Sequence, residues 1–265
     1  MTFRAVEILK KVSLIAAEDT RHTRKLTSHF DIHVPLTSYH EHNKKTKGPE
    51  LVAKLLGGQD IALVSDAGLP GISDPGEDLS RLAIAAGISV TPIPGACAAI
   101  TALVASGLPT GSFLFAGFLP KVKAARRSRL QTLGNYPETL LFYESPHQII
   151  KSLGEMQTVL GDRQAAIGRE LTKIHEEFRR GPLSELAKSF QDQPPRGEFV
   201  IIVAGKDPAA ELPGNATAEI SDESIRQEIE SRLAAGENKK DAIRKIASQW
   251  GLSRRRVYQL ALDSR

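Results

Sequence analysis

Four apolar residues, Ile61-Ala62-Leu63-Val64, run without a break into Ser65-Asp66-Ala67-Gly68-Leu69-Pro70-Gly71-Ile72-Ser73-Asp74-Pro75-Gly76. The first four have the length and branching of a buried strand. The stretch from Ser65 to Gly76 is too rich in turn formers to continue it, and it carries two carboxylates, Asp66 and Asp74. Open α/β sheets place ligand sites in this way, in loops at the carboxyl ends of buried strands. An ordinary strand-to-helix connection is the alternative, and two Pro-Gly breaks in so short a span argue against it.

The surrounding chain alternates between two periodicities. Ala5, Ile8, Leu9 and Val12 give residues 2–12 one apolar helical face, with Thr2 placed to cap it. Leu14–Ala17 is a short strand that ends in a polar cluster, Glu18 to Arg24, open to two readings: a ligand site or a helix N-terminus. His40, Glu41 and His42 invite a metal reading, but without a further Cys/His framework a polar loop is favoured. Helices end at Gly57-Gly58 and Gly87, and Ile88–Ile93 alternates like a strand. Pro94-Gly95 then leads into a small-residue helix through Ser106. Cys97 reads as a core filler, since no cation lies near it in sequence.

This alternation predicts a mostly parallel α/β domain over residues 1–109, closed by the Gly107–Gly111 linker. Strands at 112–119, 139–143, 165–168 and 199–203, with fewer helices between them, predict a mixed-sheet domain over 110–206. After a Pro/Ala/Gly linker at 207–217, residues 218–265 predict a helix-turn-helix-like tail, with Arg254, Arg255 and Arg256 opening its second helix.

Charge is unevenly spread. From Lys239 to Arg265 eight basic residues meet only Asp241 and Asp263, a net +6, whereas the whole chain carries +4. A second basic run, Lys121, Lys123, Arg126, Arg127 and Arg129, contains no acid and is open to two readings, a phosphate footprint or a solvated helix face. No apolar run reaches the roughly 18 residues of a membrane span. The single cysteine excludes an internal disulfide and fits a cytoplasmic protein without a leader segment.

Seven blocks occur in order: Ala17–Arg21, Ser38–Asn43, Val64–Gly76, Pro94–Ala96, Tyr143–His147, Gly168–Lys173 and Arg196–Phe199. Together they resemble the tetrapyrrole-methylase-like (class III) S-adenosylmethionine methyltransferases, in the branch acting on small-subunit ribosomal RNA. The resemblance covers roughly residues 1–205. It implies a two-domain α/β fold with a small helical C-terminal appendage, S-adenosylmethionine in a cleft, and a homodimer. It also implies 2'-O-methylation of a cytidine in 16S rRNA. Carried over by position, it assigns cofactor contacts to Asp66, Leu69, Gly71, Ala96, Cys97, Ala98 and Tyr143. Two departures stand out. The family's opening strand and Gly-Thr-Pro-Ile-Gly-Asn-Leu loop do not precede Thr2, and Gln148 stands where an arginine is frequent.

A ribose hydroxyl must lose its proton as it attacks. Glu144, His147 and Glu170, each just after a predicted strand, are candidate bases; histidine is the residue type that titrates near neutrality. Lys173 and Arg169 are candidates to hold phosphate or an alkoxide. Two other functions compete: methylation of a small tetrapyrrole-like substrate, and a nucleic-acid-binding regulator using the tail. The basic stretches favour RNA over a small substrate.

Overall fold

Thr2 caps the first helix, α1 (Phe3–Lys11), its Oγ1 accepting the Ala5 N–H at 3.2 Å. The computed structural model describes residues 1–190, 195–207, 221–250 and 252–263. After α1 come β1 (Leu14–Ala17), α2 (Thr20–His29), β2 (Leu36–Ser38), α3 (Lys44–Leu56), β3 (Ile61–Val64) and α4 (Gly76–Ala85). The three strands form a parallel sheet in the order β2-β1-β3. β1 is central, and Ile15, Ala16 and Ala17 are fully buried.

β3 is not the buried strand its composition predicts. Among the described residues it pairs only with β1, and all four of its residues are half-buried. Ile61 and Leu63 face Tyr39, Leu51 and Leu79, while Ala62 and Val64 face Leu9, Ile15 and Ile32, so both faces are covered while one edge has no partner strand among the described residues. The strand expected at Ile88–Ile93 does not form either; the segment has no ladder partner among the described residues. Alternation encodes which faces a segment offers, but a strand exists only through a neighbour's hydrogen bonds.

α5 (Ala98–Ser106) comes next and ends at Gly107, whose φ of 81° a residue with a side chain adopts only under strain. It precedes the boundary expected at 107–111, yet Ala99, Ala102 and Leu103 pack on strands that come after it. Those strands belong to the second sheet. They are β4 (Phe113–Phe118), then α6 (Lys123–Leu133), β5 (Thr139–Glu144), α7 (Ile149–Leu160), β6 (Gln164–Arg169), β7 (Glu177–Pro182), α8 (Leu183–Lys188) and β8 (Phe199–Val203). The order is β4-β5-β8-β6-β7; β4 and β5 run parallel and the other pairs antiparallel. One face carries Leu140, Phe142, Ile201 and Val203 under Leu130, Leu153, Met156 and Leu186. The opposite face carries Leu141, Tyr143, Val200 and Ile202 under α5. β7 escapes sequence reading because Glu177-Phe178-Arg179-Arg180 is a charged edge strand without apolar alternation.

Both sheets lie in one compact unit, Met1–Leu133 with Thr139–Ala204; Gly134–Glu138 with Gly205–Arg265 forms a second. The second unit holds α9 (Asp222–Ala234), α10 (Lys239–Gln249) and α11 (Arg254–Asp263). Ile225 and Ile229 of α9 meet Ile243 and Ile246 of α10 and Val257 and Leu260 of α11. α10 and α11 occupy the two helical segments expected in the tail. α9 is an addition: only Ile225 and Ile229 are buried in an otherwise polar helix, too faint a stripe to read. From residue 208 on, the expected linker lies outside the described residues.

Candidate active site

The parallel register sets the first part of the site. Ala17 pairs with Val64, so Glu18 and Asp19 leave β1 beside Ser65 and Asp66 leaving β3. The Asp19 N–H donates to Asp66 Oδ1 at 3.1 Å, and the Asp66 N–H donates to Glu18 Oε2 at 3.2 Å. Asp19 also caps α2 and pairs with Arg21 at 2.7 Å; these contacts hold its carboxyl far below the usual carboxylate range. His22 Nδ1 lies 3.8 Å from Asp66 Oδ2, and Asp19, His22 and Asp66 bring ligand atoms within 4.8 Å of one another. With Asp19 already neutralised by Arg21, this is an ion-pair network at the ends of two strands.

The loop after Asp66 is shaped by Asp74. Its carboxylate accepts the N–H groups of Gly71 at 2.8 Å and Gly76 at 2.7 Å. Gly71 therefore closes the loop and commits its N–H in doing so. Leu69 beside it is half-buried. At Gly68, φ is 79° and an added Cβ would lie 3.4 Å from the Ala96 carbonyl, so this loop and the Pro94–Ala98 turn lie against each other.

A bulge in β4 builds the aromatic wall. Pairing slips between Phe115 and Gly117, where φ is 65°, so that Phe115 stands opposite Leu141 and Phe118 opposite Tyr143. Both phenylalanines thereby reach the same face and contact Tyr143 edge-on, at ring separations of 4.9 and 5.7 Å. Burial raises the pKa of the Tyr143 phenol, with Cys97 and Glu198 adding to the effect and the backbone at Ala99 opposing it. The structure thus brings together Tyr143, Cys97 and Ala98 from the cofactor set. Phe115 and Phe118 do not stand out in the sequence, where only the glycine within the β4 run hints at a bulge; Glu198 lies in the Arg196–Phe199 block but without a role readable from it.

The four catalytic candidates separate. Glu144 is corrected: strand alternation turns it to the face opposite Tyr143, where it is 6% exposed. Its oxygens accept the Ser145 N–H at 2.8 Å and the Ser152 hydroxyl at 2.6 Å, tying β5 to α7. Glu170 accepts the Glu198 N–H at 2.9 Å and the Lys173 ammonium at 2.9 Å, which hold its carboxyl below the usual range. Burial pulls the Lys173 ammonium down, but Glu170 and Glu198 outweigh that and raise it. Arg169 is committed to the Arg196 carbonyl and Glu177. His147 is exposed in the turn between β5 and α7, its ring without a hydrogen bond or ion pair among the described residues.

Of the basic residues, Lys121, Lys123, Arg127 and Arg129 are exposed. Arg126 is corrected. It is 5% exposed, bonds Glu155 at 2.7 Å and donates to the carbonyls of Pro120 and Lys121, because it falls on the inner face of α6 with Leu130 and Leu133. In the second unit Arg254 and Arg255 are exposed, whereas Arg256 pairs with Asp222 at 2.8 Å. The His40–Glu41–His42 loop is organised by Asn43, which accepts the His40 N–H at 2.9 Å, and Glu41 pairs with Lys44 at 2.8 Å. No described helix is long and apolar enough to cross a membrane.

Residues 1–187 match the profile of the Tetrapyrrole (Corrin/Porphyrin) Methylases. The chain belongs to the tetrapyrrole methylase family. Within the family it is 47% identical over 264 residues to the ribosomal RNA small subunit methyltransferase I of Synechocystis sp., covering 99% of this chain and 92% of that one. It is 48% identical over 262 residues to the protein of that name from Halalkalibacterium halodurans, covering 98% and 89%. Among solved tetrapyrrole-methylase-like structures, uroporphyrin-III-C-methyltransferase from Thermus thermophilus superposes with a TM-score of 0.52 at 19% identity, over 76% of this chain and 87% of that one. The methyltransferase CobJ superposes with a TM-score of 0.55 at 19% identity, over 77% and 88%. These two show the α/β fold that the family resemblance implies.

Proposed function

We propose that this chain transfers a methyl group from S-adenosylmethionine to the 2'-hydroxyl of a cytidine ribose in 16S rRNA. The near-full-length match at 47% identity to a protein named for small-subunit rRNA methylation carries this reading. The residues suit the cofactor. Phe115, Phe118 and Tyr143 offer an aromatic wall, Gly95 and Ala96 leave backbone uncovered, and Asp66 supplies a partly exposed carboxylate. Asp66, Leu69, Ala96, Cys97, Ala98 and Tyr143 would hold it, and Gly71 would shape the loop. When bound, S-adenosylmethionine supplies a methyl group on a positively charged sulfur.

The chain's own residues then have to orient a ribose and remove its proton. Among the sequence candidates His147 serves as base. Glu144 is buried on the wrong face, and Glu170 is stabilised as a carboxylate by an N–H and an ammonium. Lys173 stays charged and exposed enough to meet a phosphate. Exposed Lys121, Lys123, Arg127 and Arg129 supply the cationic surface that a small tetrapyrrole-like substrate would not need. The reading includes a cytoplasmic homodimer, for which the exposed pair Ile100 and Val104 on α5 offers an apolar stripe.

The test is methyl transfer to small ribosomal subunits, with the product mapped for 2'-O-methylcytidine. His147→Gln is expected to lower turnover by about a hundredfold to ten-thousandfold. Methyl transfer by His147→Gln should stay low while its binding of S-adenosylmethionine is retained, as expected of a residue that acts on the ribose hydroxyl. A product methylated on the base, or unchanged turnover in His147→Gln, overturns the proposal.

A further inference from the structure

The second unit carries a groove of about 750 Å³ between α10 and α11. Lys240, Ile243 and Arg244 of α10 line it opposite Arg254, Arg255 and Tyr258 of α11. Ile243 is 7% exposed, whereas Tyr258 is 53% exposed on a helix whose Val257, Leu260 and Ala261 are buried. The cations at the rim divide into two groups. Lys239, which also lines the groove, donates to the Ala261 carbonyl at 2.7 Å, and Arg244 pairs with Asp241 at 2.9 Å. The side chains of Lys240, Arg254 and Arg255 make no hydrogen bond or ion pair among the described residues, and no described carboxylate lines the groove.

We infer that this groove binds a single-stranded segment of RNA, with Lys240, Arg254 and Arg255 on its phosphates and a base stacked on Tyr258. The inference rests on the RNA substrate proposed above and adds a second contact surface to it. Charge complementarity selects a polyanion, since three uncompensated cations ring a floor with no acid. An exposed aromatic ring between cations suits an unstacked base, which a duplex does not present. A duplex reader instead pushes a protruding helix into a groove. Here Arg254, Arg255 and Tyr258 face a concavity shared with α10, and the third arginine, Arg256, is held by Asp222.

The experiment is fluorescence anisotropy of the full chain with a labelled single-stranded RNA, over a range of salt. Tyr258→Ala is expected to weaken binding about fivefold to a hundredfold, and Tyr258→Phe to keep it. The combined Lys240→Gln, Arg254→Gln, Arg255→Gln variant is expected to lower the salt slope by about two, since each phosphate contact on a single strand is worth about 0.7. All four substituted side chains are exposed, so melting temperatures serve as the folding control. Unchanged affinity in Tyr258→Ala, an unchanged slope in the combined variant, or preferential binding to duplex DNA of the same sequence overturns the inference. Methyl transfer is assayed in parallel. Groove-dependent binding without methyl transfer refutes the proposed activity and leaves the groove. Methyl transfer with groove variants indistinguishable from wild type refutes the groove alone.

Discussion

Glu170 occupies a backbone conformation that residues with side chains rarely adopt, with φ at 47°, and Thr172 lies nearby at 67°. The surroundings hold it there through the Glu198 N–H, the Lys173 ammonium and the space left by Gly197. At Gly197 φ is 85°, and an added Cβ would meet Glu170 Cγ at 2.5 Å. Gly197→Ala is therefore expected to cost about 1–3 kcal/mol, read as a lower urea midpoint. An unmoved midpoint would mean that the turn adapts. The depressed Glu170 carboxyl has a direct consequence for acid stability. A carboxylate favoured in the folded state stabilises it fully above the ordinary value of about 4.3. That contribution is lost as pH falls through the lower folded value. Glu170→Gln is expected to flatten this part of a stability-versus-pH curve, and a parallel curve would contradict the assignment. Arg196-Gly197-Glu198 is legible as a motif before a strand, but its meeting with Glu170 depends on the antiparallel register of β6 and β8.

Among the elements, α6 shows how a charge run misleads. Five basic residues without an acid read as one surface, yet a helix repeats every 3.6 residues and puts Arg126 on the face of Leu130 and Leu133. Its partner Glu155 comes from α7, and their side chains are 6% and 14% exposed. Glu155→Ala leaves a buried guanidinium without its counter-charge and is expected to cost about 3–5 kcal/mol in chemical denaturation. Arg127→Gln with Arg129→Gln is expected to leave stability unchanged and to lower RNA affinity, most clearly at low salt. The reverse pattern would place the footprint elsewhere. Helices with a broad apolar face and strands with a buried one are readable from the chain. The failures, Ile88–Ile93, β7 and α9, share a cause. Their structure is decided by which neighbour is present, and a local pattern does not contain the neighbour.

At the scale of the molecule, the two compact units have separate apolar interiors. Ile246, fully buried, belongs wholly to the one built by α9, α10 and α11. Ile246→Ala is expected to cost that unit about 2–5 kcal/mol. Calorimetric melting should then show one component shifted down and another in place, with cofactor affinity retained. A single transition moving as a whole would mean the two units unfold together. The rim of Ile61–Val64 that faces away from β1 has a consequence for how the protein behaves in quantity. Among the described residues no strand pairs with that rim, and an unpaired rim is a template on which an extended segment from another copy adds itself. The same four residues that launch the loop toward Asp66 thus also offer an edge for docking, and any intermolecular β-structure in concentrated solutions of this chain is expected to start there.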